Sequence, residues 1–155
     1  MTERGSALLA ALLMVSLLFV AGLGFLSQRR AQYEAAHSAG LGSVALALAE
    51  AGLEDAKIKL QLDWDFPMVA GVEQPQTSYL EFLEDSDGNV VGSYQVTIDL
   101  RALRRPFRVL VVRSTGRVGA FENPEATRTV EMEVDMEISR ATYFTVINWR
   151  DLGAL

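Results

Sequence analysis

The sequence predicts an α+β protein: a long N-terminal helix packed against a roughly four-stranded antiparallel sheet. Three observations carry this prediction. The chain opens on an uncharged apolar run, continues without proline to Pro67 with apolar residues at helical spacing, and then changes to a period of two.

The first element is the apolar run. From Ala7 to Leu26 there are 20 residues without a charge, broken only by Ser16. At about 1.5 Å per residue such a helix matches a hydrocarbon core of roughly 30 Å. A cleaved secretory signal has a shorter apolar region ending in small residues, whereas this one runs into "FLSQRR" with no A-x-A site. A helix buried in a soluble core would need a larger protein around it than 155 residues supply. The run therefore reads as a transmembrane segment. Its flanks do not agree on orientation. Arg4 and the amino terminus lie on one side with Glu3, and Arg29 and Arg30 on the other, so a bare count of basic residues places the C-terminal side in the cytoplasm. The short basic leader and the folded domain that follows favour the reverse.

The second element continues the first. "AQYEAAHSAGLGSVALALAEAGLEDAKIKLQLD" is rich in Ala, Leu, Glu and Lys, with Leu41, Ala45, Leu48, Ala56 and Leu60 at helical spacing and Val44, Ala51, Ile58 and Leu62 beside them. With no proline to interrupt it, one helix from about residue 7 to about residue 62 is expected. Gly22, Gly24, Gly40 and Gly42 are its weak points, marking either close helix packing or local bending.

From Asp63 the pattern breaks. "DWDFPMVAGVEQPQ" holds two of the four prolines and reads as an exit loop. Four candidate strands follow: "SYLEFLE", "VVGSYQVTIDL", "FRVLVVRSTGRVG" and "TRTVEMEVDMEIS". In the last, Val130, Met132, Val134, Met136 and Ile138 fall on one face and Glu131, Glu133, Asp135 and Glu137 on the other, the pattern of a sheet with one wet side. The apolar side needs a cover, and the amphipathic helix is the available one. The tail "ATYFTVINWRDLGAL" is open to three readings: a final strand, a segment packed on the sheet, or a contact surface exposed until assembly.

Composition narrows the function. A net charge of -6 offers nucleic acid no broad basic face, and no direct nucleic-acid site is evident. The absence of cysteine excludes disulfides, thiolate metal sites and cysteine nucleophiles. His37 is the sole histidine and lies at no motif spacing, so it reads as an ordinary helix-surface residue. No G-x-S-x-G, P-loop or H-E-x-x-H occurs, so no catalytic residues and no cofactor are assigned, and an enzyme is not expected. "EDSDGN" places Asp85, Asp87 and Asn89 at alternate positions, as at the start of a calcium loop, but Val96 stands where an EF-hand has its glutamate. A hairpin turn with solvated acids is the expected role, with an adventitious calcium site as the weaker one. "RALRRPFR" gathers four basic residues between strands, either as a solvated loop or facing an acidic neighbour.

Two segments carry a resemblance. "RGSALLAALLMVSLL", a basic residue and glycine before a long apolar helix, and the alanine-rich "LALAEAGLEDA" resemble type IV pilin-like proteins, most closely the PilX-type minor pilins and the pseudopilins. "GSYQVTI", "VVRSTGRVG" and "ATRTVEMEVDMEIS" are similar to the sheet of that group. The resemblance implies a leader at 1–5, removed by a prepilin peptidase after Gly5, with Ser6 the new, N-methylated terminus. It also implies a membrane and filament-core helix at 6–27, an amphipathic helix at 28–62 and a sheet with C-terminal tail at 63–155. Many members carry phenylalanine just after the cleavage point and glutamate at the fifth mature position; here Ser6 and Ala10 stand there. A subunit without that acid lacks the intramembrane carboxylate that pairs with a neighbour's amine, which suits a tip or initiation subunit. The implied partners are other pilin or pseudopilin subunits, the prepilin peptidase, and the inner membrane with its assembly machinery. The rival expectation is a single-pass membrane protein whose extracytoplasmic domain binds a partner without polymerising; a membrane-tethered calcium sensor is a third.

Overall fold

A computed structural model of the chain describes residues 3–63, 66, 75–103 and 107–154. The chain divides into two compact units, residues 1–39 and residues 40–155. Helix α1 is assigned from Glu3 to Leu62 and runs unbroken through Gly22, Gly24, Gly40 and Gly42.

From Leu9 to Leu26 every described side chain is exposed, and beyond the helix's own local backbone no atom lies within 4 Å of where a Cβ would stand on Gly22 or Gly24. This is one helix long and apolar enough to cross a membrane, with a mean hydropathy of 2.0 over its best window. Ser16 satisfies its hydroxyl inside the helix by donating to the Leu12 carbonyl at 2.8 Å, the usual solution where no water is at hand. Past the apolar run the surface turns polar: Arg29 lies 5.1 Å from the Phe25 ring centroid, and Arg30 pairs with Glu34 one turn on at 2.9 Å.

The second unit is the α+β domain. Five strands form one antiparallel meander in the order β1-β2-β3-β4-β5: β1 Gln76–Glu84, β2 Val90–Asp99, β3 Val109–Val118, β4 Ala126–Asp135 and β5 Val146–Gly153. The count exceeds the expected four because the C-terminal tail is a strand, pairing Met132 with Trp149 and Glu131 with Arg150. Of the three readings of the tail the final strand is the one that holds; the sequence left it open because the 136–145 connection turns on Phe144, which adopts φ 60° with no glycine to announce it.

Residues 40–62 of α1 cover one sheet face through Ala45, Leu48, Ala49, Leu53, Ala56 and Leu60. Opposite them are Val96 and Ile98 of β2, Leu110 and Val112 of β3, and Val130, Met132 and Val134 of β4. The buried stripe differs from the expected one at its margin. Val44, Ile58 and Leu62 are 48%, 56% and 83% exposed, and Ala49 and Leu53 take the inner positions. One residue on a helix is a rotation of about 100°, enough to move a side chain from the covered face to its edge.

Small residues let the helix lie very close to the sheet. A Cβ on Gly116 would stand 2.2 Å from the Ala45 carbonyl oxygen and 2.5 Å from the Ala49 nitrogen. One on Gly52 would stand 2.3 Å from Ser114 Oγ, and one on Gly92 2.7 Å from Leu48 Cδ1. Backbone thus meets backbone where longer side chains would hold the layers apart.

The face expected to be wet is partly dry. Glu131 is 5% and Asp135 2% exposed. The added strand and the 136–145 connection cover them, and basic partners compensate. Glu131 lies between Arg113 of β3 at 2.6 Å and Arg150 of β5 at 2.5 Å, while Arg150 also reaches Glu133 at 2.8 Å. Ile138 falls off the apolar face because β4 ends at Asp135.

Candidate functional site

The residues singled out by the sequence fall into two groups. Gly5, Ser6 and Ala10 lie on the helical backbone of α1, and their surroundings lie outside the described residues. Asp85, Asp87 and Asn89 come together in the β1–β2 turn. There Asp85 is the organiser: its Oδ1 accepts the backbone N–H groups of Asp87 and Asn89, each at 2.9 Å, and its Oδ2 accepts the Asn89 side-chain amide at 3.1 Å. Gly88 takes φ 82° and its N–H donates to the Asp85 carbonyl at 3.1 Å. Hydrogen bonds from Asn89 and Asp87 hold the Asp85 carboxyl below the usual carboxylate range. The carboxylate is committed to closing the hairpin. Among the described residues no group of three or more His, Cys, Asp or Glu stands ready to hold a metal ion.

"RALRRPFR" splits likewise. Arg101, in the short 3-10 turn Arg101–Leu103, forks onto Asp99 at the end of β2, and Arg108 reaches Glu137 at 3.7 Å. Arg104 and Arg105 lie outside the described residues.

Two polar constellations arise from tertiary contacts that no sequence spacing announces. At the C-terminal end of α1, Lys59 bridges Asp55 at 2.7 Å and Glu81 of β1 at 3.0 Å, and its ammonium lies 4.4 Å from the Tyr79 ring centroid. The Tyr79 hydroxyl donates to Asp55 at 2.9 Å. Burial and the Asp55 carboxylate push the Tyr79 phenol well above its ordinary value, and the same two causes push Tyr94 up to about 12. Burial disfavours the Lys59 charge, but the hydrogen bonds to Asp55 and Glu81 outweigh it and raise its pKa. Tyr79, Tyr94 and Lys59 therefore keep their protons at neutral pH, and the contacts of Lys59 and Tyr79 tie the helix to β1.

The second constellation surrounds Asp135. Its carboxylate accepts the Thr142 hydroxyl at 2.6 Å and the Glu137 N–H at 3.0 Å, with Arg140 at 3.5 Å. Its backbone N–H donates to the Thr145 carbonyl at 3.0 Å and its carbonyl accepts the Phe144 N–H at 2.7 Å. One residue thereby fixes the connection that turns β5 back onto the sheet.

A small cavity of about 30 Å³ lies at the same end of the domain, lined by Leu60, Phe66, Ile98, Leu103, Met136 and Thr77 among others. Among the described residues Thr77 is the one polar side chain in its wall, so it has room for about one water but few partners for it there. The feature with the largest unmet physical demand is therefore the apolar surface of α1 from Leu9 to Leu26, which water solvates poorly on every side. Comparison with known protein families, curated proteins and solved structures returns no match.

Proposed function

We propose that the chain is a minor pilin or pseudopilin: a non-enzymatic structural subunit of a type IV pilus or type II secretion pseudopilus. The carrying observation is the change in what covers one helix. The described residues from Leu9 to Leu26 are exposed all round, and residues 45–60 are buried on one side by a sheet. A helix apolar on every face is stable in lipid or among similar helices, so the same segment serves as anchor before assembly and as filament core afterwards. The domain then lies on the extracytoplasmic side of the inner membrane and is carried into the pilus or pseudopilus with other subunits.

On this reading the prepilin peptidase cuts after Gly5 and Ser6 becomes the N-methylated terminus. Ala10 offers no carboxylate to the amine of a neighbouring subunit, which suits a tip or initiation subunit better than the repeated building block. Mass spectrometry of the mature N-terminus tests the proposal, with cell fractionation in the presence and absence of the peptidase. A methylated Ser6 that depends on the peptidase is expected. An intact Met1, or cleavage at another site, refutes it and leaves a single-pass protein that does not polymerise.

A further inference from the structure

In the sheet domain the described cations are paired with a consistency that isolates one exception. Lys57, Lys59, Arg101, Arg108, Arg113, Arg128, Arg140 and Arg150 each reach a carboxylate within 4 Å. Arg117, in β3 on the face away from the helix, reaches none among the described residues. Its Nη2 donates to the neutral side-chain oxygen of Gln95 at 3.2 Å, and its Nη1 is buried without a partner. Directly across β2, in register with it, Ser93 is 1% exposed and its Oγ also lacks a partner. Two buried donors thus stand side by side with nothing to accept from them, an arrangement that structures rarely leave unused.

The walls are aromatic. Phe82 of β1 is the register partner of Ser93 on its other side, the Phe121 ring centroid lies 4.8 Å from the Arg117 guanidinium carbon, and the two rings meet edge to face at 6.1 Å. Both rings are partly exposed, so an aromatic rim flanks a half-buried cation, the composition of an interaction hot spot.

We infer that Ser93 and Arg117 form a binding site for a carboxylate, supplied by an acidic side chain of a second polypeptide. A carboxylate accepts both unused donors at once, Ser93 Oγ–H and Arg117 Nη1–H, and supplies the negative charge that Arg117, alone among the described cations of this domain, does not find among the described residues. Both donors are covered in the free chain, so entry moves the Phe121 ring, which sits on the 119–125 turn, away from the guanidinium. The rings then close around the incoming side chain and exclude water, which strengthens the ion pair. The inference does not depend on assembly into a pilus.

The test is a titration of the full-length ¹⁵N-labelled chain in detergent micelles, followed by NMR. The probe is the peptide acetyl-Gly-Glu-Gly-amide, with its glutamine counterpart and inorganic phosphate as controls. The expected result is a saturable, millimolar shift of the Arg117 Nε–H signal and of the Ser93 and Phe121 amides with the glutamate peptide, and at most a small one with glutamine. Arg117→Gln should weaken binding about tenfold or more, and Arg117→Lys less. Ser93→Ala keeps the cation and should weaken binding severalfold; it decides the matter if the arginine variants fail to fold. No saturable shift, equal shifts with glutamine, or full affinity in Ser93→Ala overturns the inference. Phosphate binding as tight as the glutamate peptide overturns the polypeptide source and points to a lipid headgroup.

Discussion

Gly116→Ala tests how closely the helix and sheet are packed. The added Cβ would stand 2.2 Å from the Ala45 oxygen, 2.5 Å from the Ala49 nitrogen and 2.9 Å from Leu48 Cβ. Contact distances for such atoms are nearer 3.5 Å, so the helix must withdraw by about 1 Å, since two of the three obstacles are backbone and no rotamer change clears them. A gap of about 1 Å forfeits up to half of each dispersion contact along the buried stripe from Ala45 to Leu60. Overpacking typically costs about 1–3 kcal/mol, and the backbone clash places this site at or above the upper end, less about 0.5–1 kcal/mol recovered because alanine suits a strand better than glycine. A net loss of about 2–3 kcal/mol should lower the melting temperature by roughly 10 °C in a domain of this size. The assay is urea denaturation and thermal melting by circular dichroism on a fragment starting at residue 28, which should itself be soluble and folded. Gly40→Ala is the control: nothing lies within 4 Å of its Cβ position, so the better helix former should stabilise by up to about 1 kcal/mol. A Gly116→Ala variant within about 0.5 kcal/mol of the parent would refute the close packing, measured against the roughly ±0.5 kcal/mol of an ordinary surface change.

Three further outcomes follow from buried polar groups. Ser114 Oγ is buried without a partner beneath Gly52, so Ser114→Ala should raise stability by about 1 kcal/mol in the same urea titration, because it removes an unsatisfied hydroxyl without opening a large cavity. Glu131→Gln removes the charge shared by Arg113 and Arg150; both arginines are half exposed, so the loss should be about 1–2 kcal/mol, with faster hydrogen exchange at β5 amides than elsewhere. The Thr142 hydroxyl, the Glu137 N–H and Arg140 hold the Asp135 carboxyl below its unfolded value near 3.9. Its contribution is therefore complete above that value and fades as pH falls through the lower folded one, and Asp135→Asn should flatten the acid limb of a stability–pH curve below about pH 4.

How much was legible in the sequence varies by element. The apolar run and the helix that follows it were visible because periodicity and the absence of proline act locally. Four strands were visible for the same reason, and the Asp85–Asn89 turn announced itself through Asp-Gly. The fifth strand was only one of three readings of the tail, because its turn rests on Phe144 in a left-handed conformation and on the buried Asp135. Glu131 and Asp135 read as solvated acids because alternation reports which face a residue is on, and does not report what covers that face.

The sequence by itself therefore determined the helix, its apolar half and the alternation of the strands, since these follow from the covalent order of side chains and the geometry of short segments. Tertiary structure alone decided the depth of contact at Gly52, Gly92 and Gly116, the pairing of Glu131 with two arginines, and the isolation of Arg117 beside Ser93. Each depends on strand register and on residues many positions apart meeting in space. A register is fixed by the packing of the whole face rather than by any one segment, so no local pattern encodes which charge finds a partner and which does not.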